Sequence, residues 1–443
     1  MPTLLHIGAP KTGTTAIQAS LEDLKSRSPG GLEAFGLSMP GTPLEQARAA
    51  LGVLGQGVGW QAGERAHSDR HWRRLLAQAA PGLRFVSSEY LCEATPEVAD
   101  RIVADLGGRG QVRVVLTLRP LTRIMPSAWQ QYLKSGHQLD YAQWCSAMLA
   151  SPPKRGVTPS FWRRHDQGAV LQRWTEAAGA ENLTTVVLDP ADRGLLMRTF
   201  DDLLHLPAGT LTGVRGGRQN RSMSAAETEL FRRLNVQLRE RDFPWREYAD
   251  LVRYGSVLRT VELMPSDEEA AVHTPEWAVE RAVSLAQGYR DTISALEREG
   301  MTVIGDADLL TEAYAGAPQA APAPGLVPVD TAVQAILGVV SRASSGNAFF
   351  PDEVARGIGE QDGLPGSARS QKELARVEDL SAREISEVLA GRLRKGVQRR
   401  YRKQRRRLQR IADRHAVSLP RARDRSGDEV LHTAAADTPD QFG

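Results

Sequence analysis

The sequence predicts an α/β protein, a parallel β-sheet flanked on both faces by helices. Five short β-rich runs carry this expectation, at 3–7, 83–88, 112–118, 184–188 and 302–304. Most are nearly continuous in apolar residues and lack alternation, as strands buried on both faces must be. The stretches between them are rich in Leu, Ala, Arg and Glu at helical spacing. Strand alternating with helix over such lengths implies crossover connections and a parallel sheet.

The first run, Thr3 to Ile7, leads into Gly-Ala-Pro-Lys-Thr-Gly-Thr-Thr at 8–15. From Thr14 onward, Ile17, Leu21 and Leu24 fall on one helical face. Strand, glycine loop and helix start aim several backbone N–H groups at one point, where an anion can bind. The loop is therefore P-loop-like, with Gly8 and Gly13 keeping the four-residue gap. A nucleotide triphosphatase loop would have its lysine at 14, but Thr14 stands there and the lysine has moved to 11. That points to a phosphate-like group without the usual kinase arrangement.

The second run ends in Ser87, Ser88, Glu89 and Tyr90. The third ends in Leu118, Arg119 and Pro120, with Ser127 eight residues after the arginine. A magnesium-dependent enzyme would want an acid at such a strand end. An arginine suits a second phosphate instead. Pro120 and Pro126 frame the segment and limit how far its helix can wander. The run at 184–188 continues the pattern. The last, at 302–304, is placed chiefly by Gly305 after it and the helical stretch 276–299 before it.

On these residues the chain resembles the sulfotransferases that use 3′-phosphoadenosine 5′-phosphosulfate. Residues 10–15 match that family's 5′-phosphosulfate loop, and Arg119 with Ser127 match its 3′-phosphate motif. Residues 6–18 look particularly like the bacterial branch, and the likeness extends to about residue 312. The resemblance implies in-line sulfuryl transfer with that nucleotide as donor and no metal. Lys11 would neutralise charge on the leaving phosphate and the sulfuryl oxygens. Thr12, Gly13, Thr14 and Thr15 would hold the 5′-phosphate, and Arg119 and Ser127 the 3′-phosphate. Glu89 is the first candidate for the general base, with His137 and His165 as rivals and an ion pair to Arg119 or Arg123 as its structural alternative. His6, inside a strand, reads as a hydrogen-bonded core residue. Arg218, Asn220 and Ser222 resemble a segment that closes over the cofactor in this family, although Ser222 or Ser224 as a helix cap is the simpler reading. Two other functions compete: a P-loop kinase using Mg-ATP, and a non-catalytic nucleotide- or nucleic-acid-binding protein.

Trp129, Tyr132, Trp144, Trp162 and Trp174 cluster in mid-chain. Such aromatics can line a sugar or lipid site, but helix-packing core is the stronger expectation. The acceptor class stays broad: carbohydrate, lipid-linked or small molecule.

At 443 residues, 41% hydrophobic and 25% charged, the composition is that of a soluble globular protein. Two cysteines, Cys92 and Cys145, supply no disulfide framework or zinc spacing, which suits a reducing cytoplasm. No leader or spanning helix is expected. A Pro/Ala-rich linker at 315–330 separates the 1–314 α/β domain from a helical extension at 331–415, and 416–443 reads as a disordered tail. Ser381 and Glu384 form a capping box opening a helix that enters 392–410, where eleven Lys/Arg stand without an acid. The net charge of +3 therefore hides an acidic remainder. An anionic membrane surface is the first partner for this run, ahead of docking in cis or nucleic acid.

Overall fold

The computed structural model describes residues 2–57, 67–78, 81–154, 156–212, 221–264, 272–316 and 327–344. The capping box at 381–384, the basic run, the tail, Arg218 and Asn220 lie outside the described residues.

Six strands form one all-parallel sheet: β1 (Thr3–His6), β2 (Leu37–Ser38), β3 (Leu83–Ser87), β4 (Val112–Leu118), β5 (Leu183–Val187) and β6 (Thr302–Ile304). Their order is β2-β3-β1-β4-β5-β6. The five expected runs are all strands. The sixth, β2, is only two residues long and too short to leave a pattern. Register aligns Thr3 with both Arg84 and Val112, Val114 with Leu183, and Thr184 with Thr302. The chain leaves β1 toward β2 and leaves β4 toward β5, so the order reverses between β1 and β4. A crevice opens at the carboxyl ends of such a pair, where α/β sheets place ligands.

Neighbouring residues on each strand feed opposite cores. Leu5, Val86, Val114 and Val187 pack with the helices Pro96–Asp105 and Gln167–Ala178 on one face. Leu4, Phe85, Val115 and Val186 pack with Ile17, Leu21, Leu24 and Phe200 on the other. Full burial of each such side chain contributes roughly 1.5–3 kcal/mol. This explains why the sequence runs are continuous rather than alternating.

A third core lies beyond the sheet, built by the helices Leu121–Leu133, Tyr141–Met148, Ala225–Glu240, Glu276–Arg298 and Val329–Ser344. Trp129 and Trp144 are buried in it, while Trp174 is buried against the sheet. The indole nitrogens of Trp129, Trp144 and Trp162 donate to the Leu139 carbonyl, the Thr158 hydroxyl and the Met148 carbonyl. These tryptophans are packing residues with their polar tips satisfied inside the fold. Pro126 falls inside the helix Leu121–Leu133, where its missing N–H removes one helical hydrogen bond. Ser224 caps the helix Ala225–Glu240 in a capping box with Glu227.

One segment of this layer, Ala249–Val257, is wound as a π-helix. It packs against the helix Val329–Ser344, with Gly255 facing Gly338 and Arg342 paired to Asp250 at 2.8 Å. Among the described residues, no helix is long and apolar enough to cross a membrane.

Candidate functional site

The glycine loop continues the pairing of β1 with β4. Ile7 and Ala9 donate to the carbonyls of Val115 and Thr117, and the Thr117 N–H donates to Gly8. Beyond that point the chain turns through left-handed backbone at Gly8 (φ 85°), Lys11 (φ 69°) and Gly13 (φ 95°). For lysine this conformation is uncommon, and its surroundings hold it there. Thr12 is fully buried: its hydroxyl donates to the Ala9 carbonyl at 2.5 Å and meets the Thr117 hydroxyl at 2.5 Å. On the far side of the loop, Arg119 Nη1 donates to the Lys11 carbonyl at 2.9 Å. Gln167 in turn donates to the Arg119 carbonyl at 2.8 Å. The backbone at the loop lysine is thus held by Thr117 of β4, acting through Thr12, and by Arg119 just past the strand's end.

A buried polar network supports the loop from below. His6 Nδ1 lies 2.9 Å from the Ser87 hydroxyl and Nε2 3.4 Å from that of Thr117. Gln18 donates to the Ser87 carbonyl, and the Ser87 N–H donates to Gln46. Burial pushes the His6 pKa down to about 3, so the ring is neutral. It is the core histidine its strand position implies.

The helix Thr14–Arg27 begins at Gly13 with no side-chain cap and no acid in its first turn. Its opening N–H groups and dipole are directed at the loop's mouth. The Thr14 hydroxyl is buried and has no hydrogen-bond partner among the described residues. A buried orphan donor at such a place fits a phosphate oxygen.

A cleft of about 220 Å³ opens here, lined by Lys11, Thr12, Gly13, Arg119, Arg123 and the 188–196 segment. Whole small-molecule pockets run to ~300–1,000 Å³, so this volume would admit only part of a ligand of that size. Arg123 is held at its edge by a two-bond ion pair to Glu312, 2.9 and 2.6 Å, and lies over the Tyr314 ring. Ser127 does not line the cleft, and its hydroxyl donates to the Ile124 carbonyl at 2.9 Å.

Lys11 lines this cleft, and its Nζ donates to Gln131 at 3.4 Å. Burial lowers its pKa, Glu89 opposes that shift, and Arg253 and Arg119 add to it. Glu89 follows the end of β3 and lies against Gly8. Among the described residues, no salt bridge joins Glu89 to Arg119 or Arg123, because Glu312 takes Arg123. The two histidines are placed differently. His165 is buried against Phe161, with its pKa pushed down to about 3 by burial and by Arg164 and Lys11. Burial holds His137 at about 4.

Sequence reasoning missed Gln131, Lys134, Gln167 and Arg253. Gln131 and Lys134 lie one and two helical turns past Ser127, which was a usable signal. Arg253 stands far along the chain in a π-helix and left none. Among the described residues, no group of three or more His, Cys, Asp or Glu is placed to hold a metal.

No protein-family model and no curated protein matches the sequence. Among solved structures, the chain is similar to a sulfotransferase from Alicyclobacillus acidocaldarius, at 15% identity and a TM-score of 0.35. The similarity covers 55% of this chain and 96% of that one. A likeness this slight carries no argument about activity.

Proposed function

We propose that this chain is a sulfotransferase using 3′-phosphoadenosine 5′-phosphosulfate, with a hydroxyl or amine of a carbohydrate, lipid-linked or small-molecule acceptor as the target. The observation that carries the reading is the junction of β1 and β4. A lysine-bearing glycine loop and a strand-end arginine meet there, in contact through the Lys11 carbonyl and Arg119 Nη1. An arginine has five N–H donors, so one bond to the loop leaves others for a phosphate.

Each role rests on this chain's own residues. The uncapped N–H groups after Gly13, with the orphan Thr14 hydroxyl and Thr15, hold the 5′-phosphate. Arg119 holds the 3′-phosphate, and Ser127 joins it by turning its hydroxyl away from Ile124. Thr12 acts by shaping the loop from beneath. The donor supplies a sulfuryl group whose bond to the bridging phosphate oxygen breaks as the acceptor oxygen bonds to sulfur. Lys11 counters the charge that develops on that bridge. Glu89 accepts the acceptor's proton. His137 and His165 suit that role less well, since burial keeps both neutral and weakly basic. The basic run at 392–410 supports a location at the inner, anionic face of a membrane. A truncation testing that should end after Ser344, because the helix Val329–Ser344 belongs to the third core.

The deciding experiment is a calorimetric titration with adenosine 3′,5′-bisphosphate, with Mg-ATP and Arg119→Ala as controls. Micromolar or tighter binding that weakens at least about tenfold in the variant supports the reading. Preference for Mg-ATP, or indifference to Arg119, overturns it and puts a kinase first.

A further inference from the structure

Around the Lys11 side chain the molecule gathers cations that the sulfuryl-transfer scheme leaves unused. Lys134 caps the helix Leu121–Leu133, one turn past the Gln131 that receives Lys11 Nζ. From the π-helix Ala249–Val257, Arg253 reaches across to donate to the Ser135 hydroxyl at 3.2 Å. Lys11, Glu89, Gln131, Lys134, Ser135 and Arg253 are each partly accessible, and Lys11 lies close enough to Glu89, Arg253 and Lys134 to feel their charges; this shared, partly accessible neighbourhood is the recess.

The neighbouring acids are already engaged. Glu227 takes Arg221 in two bonds of 2.7 and 2.6 Å, and Asp250 takes Arg342. Among the described residues neither Lys134 nor Arg253 forms a salt bridge, while Glu89 faces Lys11. Once donor phosphates neutralise Lys11 and Arg119, Lys134 and Arg253 remain beside Glu89 with no ion pair of their own among the described residues. Partly desolvated cations of this kind gain most from an anion that also accepts their hydrogen bonds.

We propose that this recess selects an acidic acceptor, one bearing an oxyanion substituent (carboxylate or sulfate) near the reacting hydroxyl, with Lys134 and Arg253 as its binding groups. The inference rests on the sulfotransferase reading for the word acceptor, but the anion site stands on its own geometry. Burial, Lys11, Arg253 and Arg221 together push the Lys134 pKa down to about 7, against the opposing pull of Glu227. A bound oxyanion would reverse that shift, so at about pH 8 its binding draws a proton onto Lys134.

The test uses the full chain saturated with adenosine 3′,5′-bisphosphate, at ~0.1 M salt. Calorimetry compares a hyaluronan tetrasaccharide, which carries carboxylates, with neutral chitotetraose. The proposal expects the acidic sugar to bind at least about tenfold more tightly. It also expects proton uptake, read from the dependence of the heat on buffer ionisation. Lys134→Gln should abolish the uptake and shrink the preference, and Lys134→Gln with Arg253→Gln should remove the preference. Equal binding of the two sugars, or binding of neither, overturns the proposal. A preference that survives in the double variant belongs to another basic surface, the 392–410 run foremost, and overturns it as well. Failure of the bisphosphate to bind is a separate result. It removes the sulfotransferase reading, and the same sugar comparison on the unloaded protein still decides the anion site.

Discussion

Glu89 is pressed against the glycine that opens the phosphate loop. A methyl group on Gly8 would stand 2.9 Å from the Glu89 Cα and 3.0 Å from its Cβ. The acid at the end of β3 and the turn at the end of β1 therefore form one close-packed unit, and the placing of Glu89 beside the loop depends on a missing side chain.

Gly8→Ala should break that unit twice over, by the clash and by the positive φ of 85°. We expect about 2 kcal/mol or more of lost stability in urea denaturation. Bisphosphate affinity should fall at least about tenfold, because the loop can no longer close on its ligand. An unaltered Kd in this variant would show that the loop does not hold the nucleotide.

Glu89→Gln keeps the shape and removes the proton acceptor. Turnover should drop by ~10²–10⁴ while the bisphosphate Kd stays within about twofold. Full activity in this variant would take Glu89 out of the mechanism and return attention to His137.

Glu93 offers a test of structure independent of the site. Its carboxylate is wholly buried and accepts from Arg163 at 3.2 Å and Arg164 at 2.5 Å. Glu93→Gln should destabilise the fold by about 3–5 kcal/mol, because two cations lose their counter-charge while Arg164 stays largely buried. A loss below about 1 kcal/mol would mean that water reaches the pair.

Acid should weaken the fold through His6 and His165. Both are depressed to about 3 by burial, from an ordinary 6.5. The unfolded chain therefore takes up these protons first, and stability falls as pH drops below about 6.5 until the folded rings titrate near 3. Between pH 7.5 and pH 5 each ring should cost about 2 kcal/mol, visible as a lower urea midpoint. His6→Asn should flatten that dependence by about half. A midpoint unchanged at pH 5 would place water against these rings.

The sheet was legible because buried strands betray themselves as unbroken apolar runs between helical stretches. All five such runs are strands, and only the two-residue β2 lacked enough chain to register. The tryptophans were read correctly as packing, since burial of a large ring is the commoner outcome; the nitrogens of Trp129, Trp144 and Trp162 find partners inside the fold. The glycine loop and Arg119 could be named from spacing alone, because both sit at strand ends. That Arg119 grips the Lys11 carbonyl could not be foreseen, for nothing in a sequence reports which of five donors faces a backbone oxygen. Arg123 was likewise a loose cation on paper, and its partner Glu312 lies far along the chain. The Lys134 and Arg253 recess was invisible for the same reason, being assembled from a helix end and a π-helix more than a hundred residues apart.

The π-helix Ala249–Val257 has a bearing on how this protein could change over generations. A π turn bonds each residue one position further along than an α turn does, so it holds about one residue more per turn. Deleting one residue there would rewind the segment and swing Arg253 by roughly 100° about the helix axis, out of the recess. The loop, Arg119 and Glu89 would stay as they are. The charge beside Lys11 would then change by gain or loss of one residue at a distant helix, in a single step that leaves the glycine loop untouched.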